Sequence, residues 1–326
     1  MKRVGIIGGG AWGTALAQVA AEGGETLLWA REAEVVESIN GEHENKAFLP
    51  GLALNPGIRA TDDLAELAGC DALLVVTPAQ HMRAVLASMP PLDAALVLCA
   101  KGMEEATMEL MHDVAREAQP RAPLAVLSGP TFAHEVARRL PAAVTLAAED
   151  KEVGERLRSR LARPWFRPYL SDDVVGAEIG GAVKNVLAIA CGVVDGRGLG
   201  ENARSALISR GFAEMTRFGL ARGAKAETLA GLSGLGDLVL TCSSTRSRNF
   251  SLGKGLGEGR SAAELLADRR TVAEGAFTAP VLLRAAEKAR VEMPIVAAVT
   301  DLLAGRGSAA EIVERLLSRP LRSEGR

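Results

Sequence analysis

The chain has 326 residues, more than one hydrophobic core usually organises, so two domains are the expectation. Its composition, 48% hydrophobic and 24% charged, is that of an ordinary globular protein, and a formal net charge of -2 argues against a broad basic surface for nucleic acid while leaving room for a local anion site. Cys70, Cys99, Cys191 and Cys242 are far apart, with no CxxC pair and no histidine cluster beside them, which argues against a metal site and fits reduced, buried cysteines of a cytoplasmic protein.

The N-terminus enters a strand almost at once, without a signal peptide's longer apolar region. No uninterrupted apolar run reaches the roughly 18 to 20 residues of a membrane span, so no membrane insertion is expected. The first stretch, Val4-Gly5-Ile6-Ile7-Gly8-Gly9-Gly10-Ala11-Trp12-Gly13, reads as a buried strand, a glycine turn and the start of an Ala-rich helix. Gly8, Gly10 and Gly13 have the G-x-G-x-x-G spacing: one glycine for a tight turn, one for close approach to a pyrophosphate, one for helix-to-strand packing. The helix N-terminus adds unpaired N–H groups suited to an anion.

A second strand, Glu25 to Ala30, ends where a dinucleotide's ribose is read. Ala30 and Arg31 stand there before Glu32; Arg31 suits a 2′-phosphate, so NADP is favoured with NAD still open, although a solvated arginine opening a surface helix fits the same residues. Residues 33–70 read mostly as helix and loop, with Thr61-Asp62-Asp63-Leu64 a capped helix start. Apolar runs at 71–78, 94–102, 124–131 and 143–147, separated by helical segments, then complete a doubly wound α/β domain. From Val174 onward the strand signal gives way to Ala-, Leu- and Gly-rich helical periods, broken near 196–200, 231–236, 243–247, 257–260 and 291–294. The predicted division is therefore an α/β domain over 1–177 and an all-helical domain over 178–326.

Ligands of open α/β sheets sit at the carboxyl ends of the strands, which singles out Thr77, Lys101, Ser128 and Thr131. Lys184 and Asn185 are the only polar side chains between Ile179 and Val194, so Lys184 is paired, snorkelling or at work in a site; burial would suit it to acid–base chemistry. Asp237, amid glycines and apolar residues, either caps a helix or partners a buried cation. Ser247-Arg248-Asn249 has the donors of a phosphate clamp, although such a triplet is more often an exposed turn. His43, His81, His112 and His134 lack metal-binding spacing and read as surface or helix-packing residues. The sequence has neither a G-x-S-x-G elbow nor a Walker A run.

Taken in order, Gly8-x-Gly10-x-x-Gly13, Lys101-Gly102-Met103-Glu104, Ser128-Gly129-Pro130-Thr131-Phe132-Ala133, Gly180-Gly181-Ala182-Val183-Lys184-Asn185, Gly234-Leu235-Gly236-Asp237-Leu238 and Ser247-Arg248-Asn249 closely resemble the bacterial NAD(P)-dependent glycerol-3-phosphate dehydrogenases over almost the whole chain. The resemblance implies an N-terminal Rossmann-type domain, a helical C-terminal domain, and reversible reduction of dihydroxyacetone phosphate to sn-glycerol 3-phosphate for phospholipid synthesis. It makes Lys184 the proton acceptor and, in reduction, the donor. It gives Lys101, Gly129, Thr131, Lys184, Asp237, Ser247, Arg248 and Asn249 to the substrate, with Arg248 as phosphate anchor. Cofactor contacts are Gly8, Gly10, Ala11, Trp12, Gly13, Arg31, Lys101, Ala133, Arg248, Val272 and Glu274, with no metal. Ala11 departs from a frequent serine, which predicts weaker phosphate binding. A homodimer is compatible with the likeness. A two-domain hydroxy-acid or sugar-acid dehydrogenase is the nearest alternative.

Overall fold

The computed structural model describes residues 1–267 and 273–318. These residues divide into two compact units, Met1–Gly181 with Gly223–Asp237, and Ala182–Arg222 with Leu238 onward.

The first unit is built on an eight-stranded sheet: β1 (Arg3–Ile7), β2 (Glu25–Trp29), β3 (Ile58–Thr61), β4 (Ala72–Val75), β5 (Ala95–Leu98), β6 (Leu124–Ser128), β7 (Ala142–Ala148) and β8 (Phe166–Ser171). Their order is β3-β2-β1-β4-β5-β6-β7-β8. All neighbours are parallel except β6 and β7. β1 is an interior strand, with Ile7 opposite both Trp29 and Val75. The order reverses there, between β1 and β4, which is where such sheets open a ligand crevice.

Side chains alternate between two layers, as a sheet covered on both faces requires. Ile6, Leu28, Leu74 and Val97 pack into one core, together with Leu16 and Val19 of α1 (Ala11–Ala21). Ile7, Leu27, Leu73 and Leu96 pack into the other. Around the sheet lie α2 (Ala33–Glu42), α3 (Ala79–Ala87), α4 (Met111–Ala118), α5 (Ala133–Ala137) and α6 (Lys151–Leu161). Buried Arg160 on α6 donates to the Ala20 carbonyl at 2.6 Å, placing a cation at the carboxyl end of α1 where the helix dipole favours it.

Two strands depart from the sequence reading, and both are sheet edges. β3 lies within the stretch read as helix and loop; four residues with exposed Arg59 are too short to show a period. β8 carries Pro168, which an edge strand tolerates but which reads as a break. Asp63 does cap a helical turn, its side chain accepting from Ala65 N at 2.9 Å, but the turn is 3-10, Leu64–Gly69.

Helix α7 (Val174–Gly196) begins in the first unit and continues into the second. It is long and apolar enough to cross a bilayer, yet 94% of its most apolar window is buried inside the protein, as in a core helix. The second unit continues with α8 (Gly200–Ala221); α9 (Ala226–Leu229) lies in the segment belonging to the first, and α10 (Asp237–Cys242) opens on that unit's last residue. Then come α11 (Arg248–Gly257), α12 (Ala262–Leu265), α13 (Glu274–Lys288), α14 (Pro294–Leu303) and α15 (Ala309–Leu317). Helices α7 and α11 touch backbone to backbone: a Cβ on Gly192 would lie 2.0 Å from Phe250 O, and one on Gly253 1.9 Å from Ile189 O. Buried Glu214 of α8 accepts from Ile295 N at 2.8 Å, satisfying an amide at the start of α14.

Candidate active site

In the first unit the glycine turn joins the carboxyl end of β1 to α1. Gly8 has φ +126°, and its N–H donates to Trp29 O at 3.0 Å; a Cβ on Gly13 would lie 1.8 Å from Gly8 O. Neither position admits a side chain. Gly10 differs, because a Cβ there would meet no protein atom within 4 Å. Packing does not demand glycine at that point, whereas a pyrophosphate lying against the backbone would. Gly10 also caps α1 with no side-chain hydrogen bond, so the helix start keeps amides for an anion. The turn thus fits a dinucleotide. Ala11 and Trp12 lie half-buried in the first turn of that helix. Arg31, two residues past β2, is largely exposed and pairs with Glu32 at 2.9 Å.

Beyond the carboxyl end of β5, the Lys101 ammonium donates to Asp237 Oδ2 at 2.6 Å and to Gly129 O at 3.4 Å. Asp237 is fully buried. Of the two readings its sequence left open, the structure shows a cation partner, although the Lys101 ammonium itself is only partly buried. Gly129 follows β6 with φ +159°, Thr131 donates back to its carbonyl at 3.3 Å, and Ala133 opens α5. The buried hydroxyls of Thr77 and Ser128, at the ends of β4 and β6, have no hydrogen-bond partner among the described residues.

Farther along the sheet's other core, His112 is mostly buried and its Nδ1 lies 2.6 Å from Glu178 Oε2. Burial pushes the Glu178 carboxyl up, partly offset by the imidazole. Burial also pulls the His112 imidazolium down, but the hydrogen bond and charge of Glu178 outweigh it, so His112 is raised above its ordinary 6.5. His112 is therefore a helix-packing residue with a specific carboxylate partner.

In the second unit, Lys184 is buried on α7, and its ammonium donates to Thr241 Oγ1 at 3.0 Å. Thr241 lies one turn after Asp237 in α10. Asn185 Oδ1 accepts from Asn249 Nδ2 at 3.0 Å, and Asn249 Oδ1 accepts from Gly275 N at 2.9 Å. Ser247 caps α11, its hydroxyl accepting from Phe250 N at 3.2 Å. Two of the three residues in the Ser-Arg-Asn triplet thus hold the local fold. The third, Arg248, is exposed, and its guanidinium has no hydrogen bond or ion pair among the described residues. Glu274 opens α13 half-buried, and Val272 lies outside the described residues.

The first unit therefore contains Gly8, Gly10, Gly13, Lys101, Gly129, Thr131 and Asp237, of which Lys101, Gly129, Thr131 and Asp237 are joined by hydrogen bonds, and the second contains Lys184, Ser247, Arg248, Asn249 and Glu274. Thr241 and Asn185 are polar partners to which the sequence reading gave no role. The i,i+4 spacing of Asp237 and Thr241 was the signal that could have found the former. The four cysteines are buried and free. Among the described residues no group of three or more His, Cys, Asp or Glu is placed to hold a metal.

A dinucleotide-binding α/β unit followed by a helical unit with a buried lysine defines a nicotinamide-dependent oxidoreductase of the two-domain type. Comparison with known proteins narrows this class. The model of the NAD-dependent glycerol-3-phosphate dehydrogenase N-terminus matches residues 3–154, and that of its C-terminus matches 173–314. A glycerol-3-phosphate dehydrogenase [NAD(P)+] of Erythrobacter litoralis is 64% identical over 322 residues, covering 98% of this chain and 97% of the relative. One of Caulobacter vibrioides is 57% identical, covering 99% of each. The crystal structure of glycerol-3-phosphate dehydrogenase from Coxiella burnetii superposes with a TM-score of 0.93 at 37% identity, covering 98% of this chain and 99% of that one. The chain belongs to the NAD-dependent glycerol-3-phosphate dehydrogenase family, and the hydroxy-acid and sugar-acid alternatives give way to it.

Proposed function

We propose that this chain reversibly reduces dihydroxyacetone phosphate to sn-glycerol 3-phosphate, with NADPH favoured over NADH, and so supplies glycerophospholipid synthesis. The observation that carries the chemistry is the buried Lys184, held by the Thr241 hydroxyl within a largely apolar stretch of α7. Residues 1–177 would bind the dinucleotide and 178–326 would supply the proton and the phosphate anchor. When bound, the nicotinamide supplies the hydride for reduction and takes it up in oxidation.

Lys184 gives a proton to the carbonyl oxygen in reduction and, as an amine, takes it back in oxidation. As an ammonium it also stabilises the negative charge developing on that oxygen. Lys101, fixed by Asp237 and by the Gly129 carbonyl, offers a second oriented cation, with Gly129 and Thr131 beside it. Arg248 presents an uncommitted guanidinium to the phosphate, whose oxygens match its fork. Ser247 and Asn249 flank it; because their polar atoms are engaged with protein, they hold Arg248 in place and add contacts only through remaining valences.

On the cofactor side we assign Gly8, Gly10, Ala11, Trp12 and Gly13 to the pyrophosphate. Arg31 goes to the 2′-phosphate, and Lys101, Ala133, Arg248, Val272 and Glu274 to the remaining contacts. Arg31 supports NADPH because its one charge partner among the described residues is the adjacent, partly exposed Glu32, which a phosphate can replace.

Two assays test the reading. With purified enzyme, sn-glycerol 3-phosphate should drive nicotinamide reduction and its enantiomer should not; equal rates would refute the assigned substrate. Arg31→Ser should lower kcat/KM for NADPH about tenfold and leave NADH nearly unchanged, as loss of one charge-assisted contact predicts. An unchanged NADPH to NADH ratio would remove Arg31 from the 2′-phosphate.

A further inference from the structure

Asn45 lies three residues past the end of α2, and its side chain is fully inaccessible to solvent. Its Nδ2 donates to Gly9 O at 2.8 Å and to Thr14 Oγ1 at 2.8 Å, while its Oδ1 accepts from Phe48 N at 3.1 Å. The amide has one orientation, since Gly9 O can only accept and Phe48 N can only donate. Thr14 completes the network: its hydroxyl donates to Gly10 O at 2.9 Å while accepting from Asn45, and its amide donates to the same carbonyl at 2.9 Å.

This network fixes two successive peptide planes of the glycine turn. In a trans peptide the C=O of one residue and the N–H of the next point in opposite directions. Holding Gly9 O inward against Asn45 therefore aims Gly10 N–H away from Asn45, at a residue whose own Cβ position is open, with no protein atom within 4 Å. Holding Gly10 O against Thr14 likewise aims Ala11 N–H away from the helix. Gly9 contributes to the lock, because a Cβ there would lie 2.4 Å from the Ala30 Cβ.

We propose that Asn45 is a positioning residue for the cofactor, orienting the Gly10 and Ala11 amides toward the pyrophosphate. The inference rests on the reading that this turn holds the dinucleotide. It matters more here because Ala11 brings no hydroxyl of its own to the phosphates. Asn45 also belongs to a segment strapped to α1 at a second point, where Gln18 Oε1 accepts from Asn55 N at 2.7 Å and its Nε2 donates to Ala53 O at 3.4 Å. Gln18 anchors that segment without touching the turn and so serves as the control for a merely structural role.

The test compares wild type, Asn45→Ala, Thr14→Val and Gln18→Ala by titration with NADPH and NADH, by steady-state kinetics and by thermal unfolding. Asn45→Ala should raise the Kd and KM of both dinucleotides about tenfold. Its kcat and its KM for dihydroxyacetone phosphate, extrapolated to saturating cofactor, should stay within about twofold of wild type. Gln18→Ala should lower the unfolding temperature without raising either cofactor constant. An unchanged cofactor Kd in Asn45→Ala, or an equal rise in Gln18→Ala, overturns the proposal. Should Asn45→Ala not fold, Thr14→Val decides: it removes the shared hydroxyl with little change of shape, and an unchanged Kd there is equally fatal. Wild-type enzyme that binds neither dinucleotide would overturn the cofactor reading beneath the inference, an outcome distinct from failure of the variants alone.

Discussion

Removing either member of the Lys101–Asp237 pair should cost far more than removing a surface ion pair, and the two losses should be unequal. The charges are 2.6 Å apart; the Asp237 side chain is fully buried, while that of Lys101 keeps 16% of its exposure. Breaking a buried pair from one side costs about 3–5 kcal/mol, because the remaining charge stays desolvated. Asp237→Asn leaves the partly solvated ammonium with its contact to the Gly129 carbonyl, so the lower end, about 3 kcal/mol, applies. Lys101→Met takes the Lys101 cation from a carboxylate that is fully buried, where Lys101 itself was partly solvated, so the upper end of the range, about 5 kcal/mol, is expected. For a unit of this size each kcal/mol lowers the unfolding temperature by about 2–4 °C, so the drops should be about 6–12 °C and 10–20 °C. In the double variant neither charge remains, and the total loss should be smaller than the sum of the single losses by at least about 1 kcal/mol. Calorimetry of the four proteins measures this directly. Additive losses, or single losses within about 1 °C of wild type, would refute the claim that the pair is a buried, mutually dependent unit.

Lys184→Met keeps the length of the side chain and removes the proton and the charge. Acid–base and electrostatic assistance are each worth about 10²–10⁴ in rate, so kcat should fall at least about 10³-fold with the cofactor Kd nearly unchanged; a kcat within tenfold of wild type would remove Lys184 from the chemistry. Arg248→Ala should raise KM for the phosphorylated ketone about tenfold to a hundredfold, as loss of a charge-assisted contact predicts, and an unchanged KM would move the phosphate site. Stability should fall as pH rises from about 4.5 through the imidazole range, because Glu178 and His112 both have raised values and the folded state holds more protons than the unfolded one. Glu178→Gln should abolish or reverse that fall in urea titrations at pH 5 and 8.5, and an unchanged decline would assign it to other groups.

The residues legible in the sequence were those whose role is local. The glycine turn announces itself because three fixed spacings answer three steric demands, all of which the structure contains: a positive φ, an open face and a backbone contact. The buried helix around Lys184 was legible because only Lys184 and its neighbour Asn185 interrupt a long apolar run. Edge strands β3 and β8 were hidden because shortness and Pro168 erase the period that marks a strand. Asn45 was hidden for a different reason: its partners Gly9 and Thr14 are more than thirty residues away in sequence, and nothing in the neighbourhood of a buried asparagine records what it will meet. The Asp237 partner was ambiguous until the fold placed Lys101 beside it across 136 residues.

The most direct measurement is the loss of nicotinamide absorbance on adding dihydroxyacetone phosphate, run in parallel with NADPH and NADH and with unphosphorylated dihydroxyacetone as control. The expected result is rapid oxidation with the phosphorylated ketone, faster with NADPH, and almost none with the control. Equal oxidation with both ketones would contradict a phosphate anchored by Arg248. No oxidation by an enzyme that binds NADPH would contradict the assigned reaction itself.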